Sequence, residues 1–428
     1  MEKNISNLVQ KSLKKRHRKE ARFKFFGATS IAFAFSFLIL LFGMLIFKGH
    51  GAFLRPEIAL EIDLSQESIA KNSDLTAETL TENLSTNLIE QINYRRLIKQ
   101  SLRDKFPEAT SLSDINNLYQ ITSKIASLEL KNQIKKHPEL IGKKSVFWLS
   151  ASSKFDIYFK HKQTSSLSEK QIILANQLIA NKEVRTVINW QFFQFADSRE
   201  PEIAGIGAGL TGSILVMLIF LSFAFPIGVM CAFYLEEFAP KNRITDIIEI
   251  SINNLAAIPS IIYGLLGLTV YLQFFYLPRS SSLVGGMTLF MLVLPVIIIA
   301  TRNTIRSIPS SIKDAAMALG ASRMQIVLHH LLPLSIPGIM TGTILAISRA
   351  LGETAPLLMI GMVAFIADIP QTFSDPTTVL PVQIYLWSDS PEAGFAEKTA
   401  AAILVLLAML ILFNLVAVIL RKKFEKKW

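Results

Sequence analysis

Charge and cysteine are both scarce in this sequence. Only 18% of its 428 residues are charged and 51% are hydrophobic, whereas soluble domains carry about 25% charged residues. This shortage of charge argues against an ordinary cytosolic enzyme. Cys231 is the single cysteine, which excludes a disulfide framework and any zinc site built on cysteines.

Motifs for nucleotide binding and hydrolysis are missing as well. The segment GKKS at residues 142–145 lacks the preceding glycine of a phosphate-binding loop, and neither an H-E-x-x-H nor a G-x-S-x-G pattern occurs. Adjacent residues on a helix point about 100° apart, so His329 and His330 are predicted to be solvated rather than to share a metal ion. We therefore predict a chain that is not an enzyme and holds no metal or cofactor of its own.

Long apolar runs, five of them without a charge, are what the sequence does contain. A helix of about 20 apolar residues spans a membrane, and six segments approach or exceed this length. Residues 25–47 carry no charge and no small-residue cleavage site follows them, which predicts a retained signal anchor. The other five predicted spans are residues 207–234, 252–276, 283–300, 336–362 and 400–420. The pattern predicts an all-α polytopic membrane protein.

The distribution of charge orients these spans. Lys and Arg collect on the cytoplasmic side of membrane proteins. Residues 1–24 hold nine Lys and Arg and residues 421–428 hold five, so both termini are predicted to be cytoplasmic. The basic N-terminus is interpreted as an orienting tail rather than a nucleic-acid-binding arm, because no folded module accompanies it. Arg302 and Arg306 are interpreted as anchors of the same kind.

A hydrophilic insert separates the first two spans. Residues 48–204 contain 21 Lys and Arg against 19 Asp and Glu, and with a cytoplasmic N-terminus they must be extracytoplasmic. Helical periodicity is visible in residues 75–103, 114–135 and 168–183. Residues 145–149 and 155–159 are predicted to form a short β-pair. Because the insert has no cysteine pairs, it needs an ordinary apolar core.

One segment between predicted spans has the pattern of a helical hairpin. Residues 314–333 read DAAMALGASRMQIVLHHLLP. Asp314 suits the positive end of a helix dipole, and Gly320 favours a left-handed cap that ends the helix. A second amphipathic stretch is then predicted to end at Pro333, before the next span. Such a rigid hairpin either docks into a soluble partner or lies at the membrane interface without one.

This hairpin resembles the EAA loop of permeases from ATP-binding-cassette (ABC) importers. The acid, the two alanines, the glycine and the final Leu-Pro stand at the spacing of that loop, with a histidine, His330, at the usual isoleucine position. The matching residues are Asp314, Ala315, Ala316, Gly320, Leu332 and Pro333. The resemblance implies a coupling helix gripped by an ATPase subunit, and that subunit would bind ATP and Mg²⁺.

Further motifs are similar to the PstA family of phosphate importer permeases. They are YLEEFAPKNR at 234–243, NLAAIPSIIYGLLGL at 254–268, RALGETAPLL at 349–358 and LPVQIYLWSDSP at 380–391. The segment at 189–213 resembles the branch of this family that has an enlarged extracytoplasmic domain. The resemblance implies a type I importer permease with six spans in a bacterial inner membrane, its core at residues 205–420.

The same resemblance implies a set of partners. They are a PstC-like permease, two copies of a PstB-like ATPase and a PstS-like phosphate-binding protein, together with the surrounding lipid. The insert would either enlarge the docking surface for the binding protein or brace the partner permease.

Charged and polar residues within the predicted spans are candidates for the substrate pathway. Arg349 and Glu353 are the only charged residues deep in a span, and they stand four apart on one helix face. They either help phosphate across the membrane or form a structural ion pair. Ser260 and Tyr263 either line the same path or bond between helices.

Four prolines are candidate hinges. Pro226, Pro259 and Pro295 are predicted to interrupt their helices, and Pro356 to loosen the helix beyond Glu353. Kinks at these points either help inward and outward states to interconvert or only aid packing.

Three other functions stay open on the sequence. An importer of another oxyanion, such as sulfate or molybdate, would share most of these features. A membrane-anchored sensor would need a cytoplasmic output domain, whereas residues 421–428 read only RKKFEKKW. A proton-coupled transporter would give no reason for the hairpin at 314–333.

Overall fold

The computed structural model describes residues 2–72, 86–164, 167–362 and 365–424. Within these residues the chain builds a bundle of long helices and a separate domain inserted after the first of them. The last four residues of the basic C-terminus lie outside the described residues, as does the first part of the periodic segment at 75–103.

Long apolar helices form the membrane region. Among the described residues, five are long and apolar enough to cross a membrane: Lys15–Phe53, Gly207–Phe238, Ser282–Arg306, Arg323–Gly352 and Ala393–Lys423. A sixth crossing exists if the bent pair Arg243–Ala257 and Ser260–Phe274 counts as one span. The all-α polytopic architecture predicted from the uncharged runs is confirmed.

The predicted span at 252–276 is broken rather than continuous. Its two halves meet at 103°, and the break falls at Ile258 and Pro259, whose ψ angles are 135° and 136°. Proline lacks a backbone N–H and disfavours helical conformation in the residue before it. The helix therefore ends at Ala257 and starts again at Ser260, which is the interruption predicted at Pro259.

The predicted span at 336–362 is also placed differently. Its helix starts at Arg323 and ends at Gly352. Glu353 is extended, and a separate short helix, Ala355–Met359, follows it. Pro356 cannot supply the N–H that would bond to the Gly352 carbonyl in a continuous helix, which explains why the long helix ends early.

Two spanning helices form the centre of the membrane region. Gly207–Phe233 and Ser282–Arg306 approach closely where Gly286 faces Ile219, since a Cβ at Gly286 would lie 2.6 Å from the Ile219 Cβ. A small residue is therefore required at this crossing. Phe220 belongs to the main apolar cluster around the same two helices. The short helix Leu380–Ser388 precedes the last span.

The first helix, Glu2–Gly49, contains the candidate span that is least covered by the rest of the described chain. It runs without a break from the basic N-terminus through the predicted anchor at 25–47. The rest of the described chain leaves its apolar stretch open. Only near its end does Gly49 come against the backbone of Ala400 and Ala401. A helix that is apolar all round in this way suits a lipid environment.

The inserted domain is built on a three-stranded antiparallel sheet. Its central strand is β1 (Leu54–Asp63), flanked by β2 (Lys144–Ser150) and β3 (Val184–Ile188). The register pairs Glu57 with Ser150. The predicted strand at 145–149 therefore exists, but its partner is β1 rather than residues 155–159.

Residues 155–159 lie in a helix instead, Ser153–His161. Phe155 and Tyr158 are buried one helical turn apart and join the apolar core of the domain. This helical spacing, rather than strand alternation, is what buries the segment, so the predicted β-pair was wrong.

Further helices surround the sheet and complete this core. They are Gln66–Asn72, Thr86–Gln91, Tyr94–Lys105, Leu112–Tyr119, Ala126–Lys136, Glu169–Ala180 and Gln191–Gln194. The periodic segment at 114–135 is thus two helices. The one at 168–183 is a single helix, which Ser168 starts with a capping box. The apolar core that the missing cysteines require is present.

The inserted domain is attached to the last spanning helix by a buried lysine. Lys398 is 6% exposed, and its ammonium donates a hydrogen bond to the carbonyl of Ala204. The ammonium also lies 5.7 Å from the ring centroid of Phe192. A lysine is almost never buried to this degree without partners, so this contact fixes the domain against the helix.

A second set of charges lies beside Lys398. Glu397 is 3.8 Å from the Lys160 ammonium and 3.4 Å from the ring of His161. Lys160 also pairs with Asp156 at 2.8 Å. Burial raises the pKa of the Asp156 carboxyl, and the Lys160 ammonium opposes that rise. The inserted domain and the last helix therefore share a buried network of charges.

Candidate functional site

The hairpin predicted at 314–333 is present, and backbone hydrogen bonds close its turn. Its first helix is Ser310–Ala318, and Gly320 follows with a φ of +84°. The Gly320 N–H bonds to the Met317 carbonyl at 2.9 Å, and the Ala321 N–H to the Ala316 carbonyl at 3.1 Å. These are the two bonds of a Schellman cap, so the left-handed conformation expected of Gly320 is confirmed.

The second helix of the hairpin does not stop at Pro333. Ser322 starts it with a capping box, and it continues through a widened turn, Val327–Leu331, to Gly352. In a regular turn the ring of Pro333 would clash with the carbonyl of His329, and the widened turn relieves this clash. The prediction that Pro333 closes the hairpin was wrong. The hairpin and the following span are one continuous element.

The first helix presents one face outward. Asp314 lies one turn into the helix rather than at its start as predicted, because the helix begins at Ser310. Asp314 and Ala315 are exposed, whereas Ala316 is buried. Leu332 and Pro333 are half-buried at the base of the hairpin.

Large apolar side chains occupy the tip of the hairpin. Leu319 is 90% exposed, and Met317 and Met324 are each more than half exposed. We call these three residues the loop tip. An exposed apolar cluster on a rigid, capped turn is typical of a surface that binds another protein.

The opposite side of the hairpin is fixed to the bundle. Ala316 and Leu331 pack into an apolar cluster with Phe233. Lys313 forms an ion pair with Glu237, which lies in the last turn of the second spanning helix. The loop tip therefore sits on a support that holds its position.

Arg302 and Arg306 do more than the anchoring predicted from their charge. The Arg302 Nε lies 2.6 Å from Glu236 and its Nη2 lies 2.7 Å from Glu249, and the residue is 6% exposed. Arg306 contacts the same two carboxylates at 3.0 and 3.2 Å but is half exposed. We call these four residues, with the neighbouring Lys313–Glu237 pair, the arginine network.

The arginine network joins three membrane helices to the hairpin. Glu236 ends the second span, Glu249 lies in the first half of the bent pair, and the two arginines end the fourth predicted span. Sequence reasoning did not find these acids as partners. The two adjacent glutamates in YLEEFAPKNR, close to the membrane, were the available signal.

Arg349 and Glu353 stay close although the helix ends between them. Glu353 is the extended residue after Gly352, and its Oε1 lies 3.5 Å from the Arg349 Nε. This is a loose contact, longer than the bidentate arrangement that holds arginine and carboxylate firmly. Because 36% of the Arg349 side chain is exposed, its guanidinium keeps donors available for another acceptor.

A helix crossing brings other predicted residues to the same region. Gly264 packs against Pro356, whose Cα would lie 2.7 Å from a Cβ at the glycine. The hydroxyl of Tyr263 donates a hydrogen bond to the Leu255 carbonyl across the bend at 2.7 Å. Ser260 is half-buried at the start of that helix, and its side chain makes no hydrogen bond to the residues that the structure describes.

The four predicted hinge prolines fall into two groups. The helices continue through Pro226 and Pro295, so the interruption predicted there was wrong. Pro259 stands at the 103° bend, and Pro356 lies in the short helix after the break at Glu353.

The two adjacent histidines are both exposed in the widened turn of the hairpin. Within the described ranges, no group of three or more histidine, cysteine or acidic side chains is placed to hold a metal ion.

Comparisons with known proteins cover both parts of the chain. Residues 224–428 match the family model described as binding-protein-dependent transport system inner membrane component. The chain is 32% identical over 243 residues to the probable ABC transporter permease protein YqgI of Bacillus subtilis. The aligned region covers 53% of this chain and 81% of that protein. It is 31% identical over 220 residues to the phosphate transport system permease protein PstA of Yersinia pestis, covering 51% of this chain and 73% of that protein.

The chain belongs to the PstA family of ABC transporter permeases. A PstA-family permease is a multi-pass membrane transport subunit rather than a catalytic enzyme.

The inserted domain has its own family match. Residues 10–169 match a domain of unknown function, DUF3333. The folded domain reaches further along the chain, because β3 and the connector to Ala204 follow residue 169. This PstA-family permease therefore carries a domain in addition to the permease core.

Proposed function

We propose that this chain is the membrane-spanning PstA-like subunit of an ATP-driven importer of inorganic phosphate. The observation that carries the proposal is the loop tip: an exposed apolar cluster, held on a rigid cap, within the segment 314–333 that resembles the coupling loop of ABC permeases. Its substrate is proposed from the similarity to PstA permeases and from the half-exposed guanidinium of Arg349. Arginine binds tetrahedral oxyanions with paired donors.

The proposed complex contains a PstC-like permease, two copies of a PstB-like ATPase and a PstS-like binding protein. ATP and Mg²⁺ would be held by the ATPase. The positive charge before the first span and after the last supports cytoplasmic termini. The inserted domain then lies in the periplasm of a bacterial inner membrane, and the loop tip faces the cytoplasm.

The continuous helix from Arg323 to Gly352 supports a direct route for coupling. Its start is part of the hairpin, and Arg349 lies one turn from its end. A tilt imposed on the loop tip by the ATPase would therefore move the segment that carries Arg349. The Lys313–Glu237 pair and the arginine network would pass part of the same motion to the neighbouring helices.

Arg349 would act at the pathway through its available donors. In the resting state its loose contact with Glu353 offsets part of its charge. When phosphate arrives, the guanidinium would exchange that contact for two phosphate oxygens. The bend at Pro259 and the break at Glu353 lie beside this point and would allow the local backbone to adjust.

Uptake measurements test this role. Arg349→Ala and Arg349→Lys should each lower uptake of radiolabelled phosphate at least about tenfold, because a hydrogen bond to a charged group contributes about 1.5–3 kcal/mol. Co-purification of the ATPase should be unchanged. Normal uptake by Arg349→Ala at equal membrane abundance would remove Arg349 from the pathway.

Competition identifies the oxyanion. Excess unlabelled phosphate should suppress uptake by the wild-type complex, whereas equal sulfate or molybdate should not. Suppression by sulfate or molybdate alone would favour an importer of that anion. Uptake that continues without ATP would instead favour a proton-coupled transporter.

A further inference from the structure

The inserted domain contains a cavity of about 570 Å³. It lies where the helix Tyr94–Lys105 and the start of the helix Ser153–His161 meet the connector that carries Glu200 and Glu202. Its volume is in the range of pockets that bind small molecules, about 300–1,000 Å³. The cavity is separate from the loop tip and from Arg349.

Three cations line this cavity without a carboxylate partner. Arg95, Lys99 and Lys154 all contribute to its wall. Within the part of the chain that the structure describes, none of them forms an ion pair, and the Lys99 ammonium only lies over the ring of Tyr119, 4.6 Å from its centroid. Like charges that share a cavity repel one another. An anion bound among them would relieve that repulsion.

Each carboxylate of the cavity wall has a partner at one oxygen, whereas the Glu200 Oε2 is buried without a hydrogen-bond partner among the described residues. Glu200 forms an ion pair with a fourth cation, Lys124. Glu202 accepts a hydrogen bond from the Ser123 hydroxyl at 3.3 Å. Burial raises the pKa of Glu202, which favours its neutral form. The partners of these two acids are Lys124 and Ser123, and neither acid forms an ion pair with Arg95, Lys99 or Lys154.

Neutral donors add to the cationic wall. Ser152 precedes the helix Ser153–His161, but its hydroxyl donates to the Gln120 carbonyl instead of capping the helix. The first N–H groups of this helix, beside the cavity wall, thus have no side-chain cap, and helix starts attract anions. Ser153, the first residue of this helix, is also part of the wall.

We propose that this cavity binds a phosphate-bearing anion. A phosphate group carries about two negative charges and three or four acceptor oxygens, which matches several cations and an uncapped helix start better than a single carboxylate does. Bare phosphate would leave much of the volume empty, so a small phosphate ester fits as well. The proposal gives the inserted domain a ligand of its own and does not depend on phosphate import by the membrane region.

Calorimetric titration of the full-length chain tests the proposal. The titration uses an Arg349→Gln background, so that binding at the proposed membrane pathway is not counted. The probes are inorganic phosphate and glycerol phosphate, with sodium chloride of matched ionic strength as a blank. Saturable binding of at least one probe is expected. Tighter binding of glycerol phosphate would identify an ester as the ligand, and tighter binding of phosphate the free ion.

Cavity variants decide whether the bound anion occupies this site. Arg95→Gln combined with Lys154→Gln should weaken binding at least tenfold, and both residues are exposed, so the fold should be retained. Lys136→Gln changes an exposed cation of the same domain that does not line the cavity, and it should bind as the background does. Absence of saturable binding by either probe would overturn the proposal. Equal affinity of the double variant and the background would do the same, even if phosphate uptake were normal.

Discussion

At the loop end of the bundle, Arg302 binds two carboxylates through side chains alone, and Arg306 repeats these contacts from a half-exposed position. At the domain end, Lys398 is buried against a backbone carbonyl, and Gly49 lets two helix backbones meet. Side-chain contacts can exchange partners without moving a helix. Two helix backbones packed directly on each other, as at Gly49, cannot separate without moving a helix. The comparison indicates a loop end that can rearrange and a domain end that moves with the last helix.

This difference has a consequence for the inserted domain. A domain attached only by two flexible linkers would keep its position when the helices of the bundle move. Here the connector at Ala204, the helix Ser153–His161 and the last span share one buried network. We therefore expect the inserted domain to follow any tilt of the last span.

The largest effect is expected when the domain end is broken. Lys398→Ala removes the ammonium that faces Asp156, Glu202 and Glu397, so these three acids lose its compensating positive charge. Loss of one partner from a buried charge network costs about 3–5 kcal/mol. Thermal unfolding of the purified chain should show this loss as a lower melting temperature. Lys136→Ala, at an exposed cation, is the matched control, and equal melting temperatures for the two variants would refute the buried junction.

A smaller effect is expected at the loop end. Arg302→Gln leaves Glu236 and Glu249 with only the half-exposed Arg306, and charged hydrogen bonds contribute about 1.5–3 kcal/mol. Arg306→Gln touches the same acids from solvent and should cost about 0–1 kcal/mol. Chemical denaturation of both variants measures the difference. If Arg306→Gln cost as much as Arg302→Gln, burial would not be what distinguishes the two arginines.

The smallest effect concerns Glu202, beside the junction. Burial raises its pKa above the ordinary value of 4.5, so its contribution to stability is full below that value and is lost as the pH rises through the raised pKa. Glutamine does not ionise, so Glu202→Gln removes this pH-dependent loss of stability. The variant should match the wild type at about pH 4 and be the more stable protein at pH 7. A wild type that is the more stable protein at pH 7 would contradict this sign.

Local patterns predicted the membrane region better than the inserted domain. Uncharged runs located the spans, and Gly320 located the turn of the hairpin, because hydropathy and a left-handed cap depend on neighbouring residues. Pro259 was recognised as a helix breaker, but the 103° angle depends on what each half packs against. Pro226 and Pro295 show that the same residue type can also be accommodated within a helix.

Contacts between distant residues could not be predicted in this way. The partner of β2 is β1, far earlier in the chain, and no turn between them signals the pairing. Arg302 and Glu236 lie on different helices, so their spacing in sequence carries no information about their contact. The resemblance to the coupling loop located the hairpin correctly, but not the continuation of its second helix past Pro333.

The central claim is that an ATPase binds the loop tip. Leu319→Cys in a Cys231→Ser chain places one thiol on the most exposed residue of the tip, and Ala316→Cys places it on the buried side as a control. Both are treated with a thiol-to-amine crosslinker in membranes that contain the whole transporter. Capture of the ATPase subunit through Leu319→Cys, and little or none through Ala316→Cys, is the result that the account predicts. Unimpaired phosphate uptake with no ATPase captured at Leu319→Cys would contradict it.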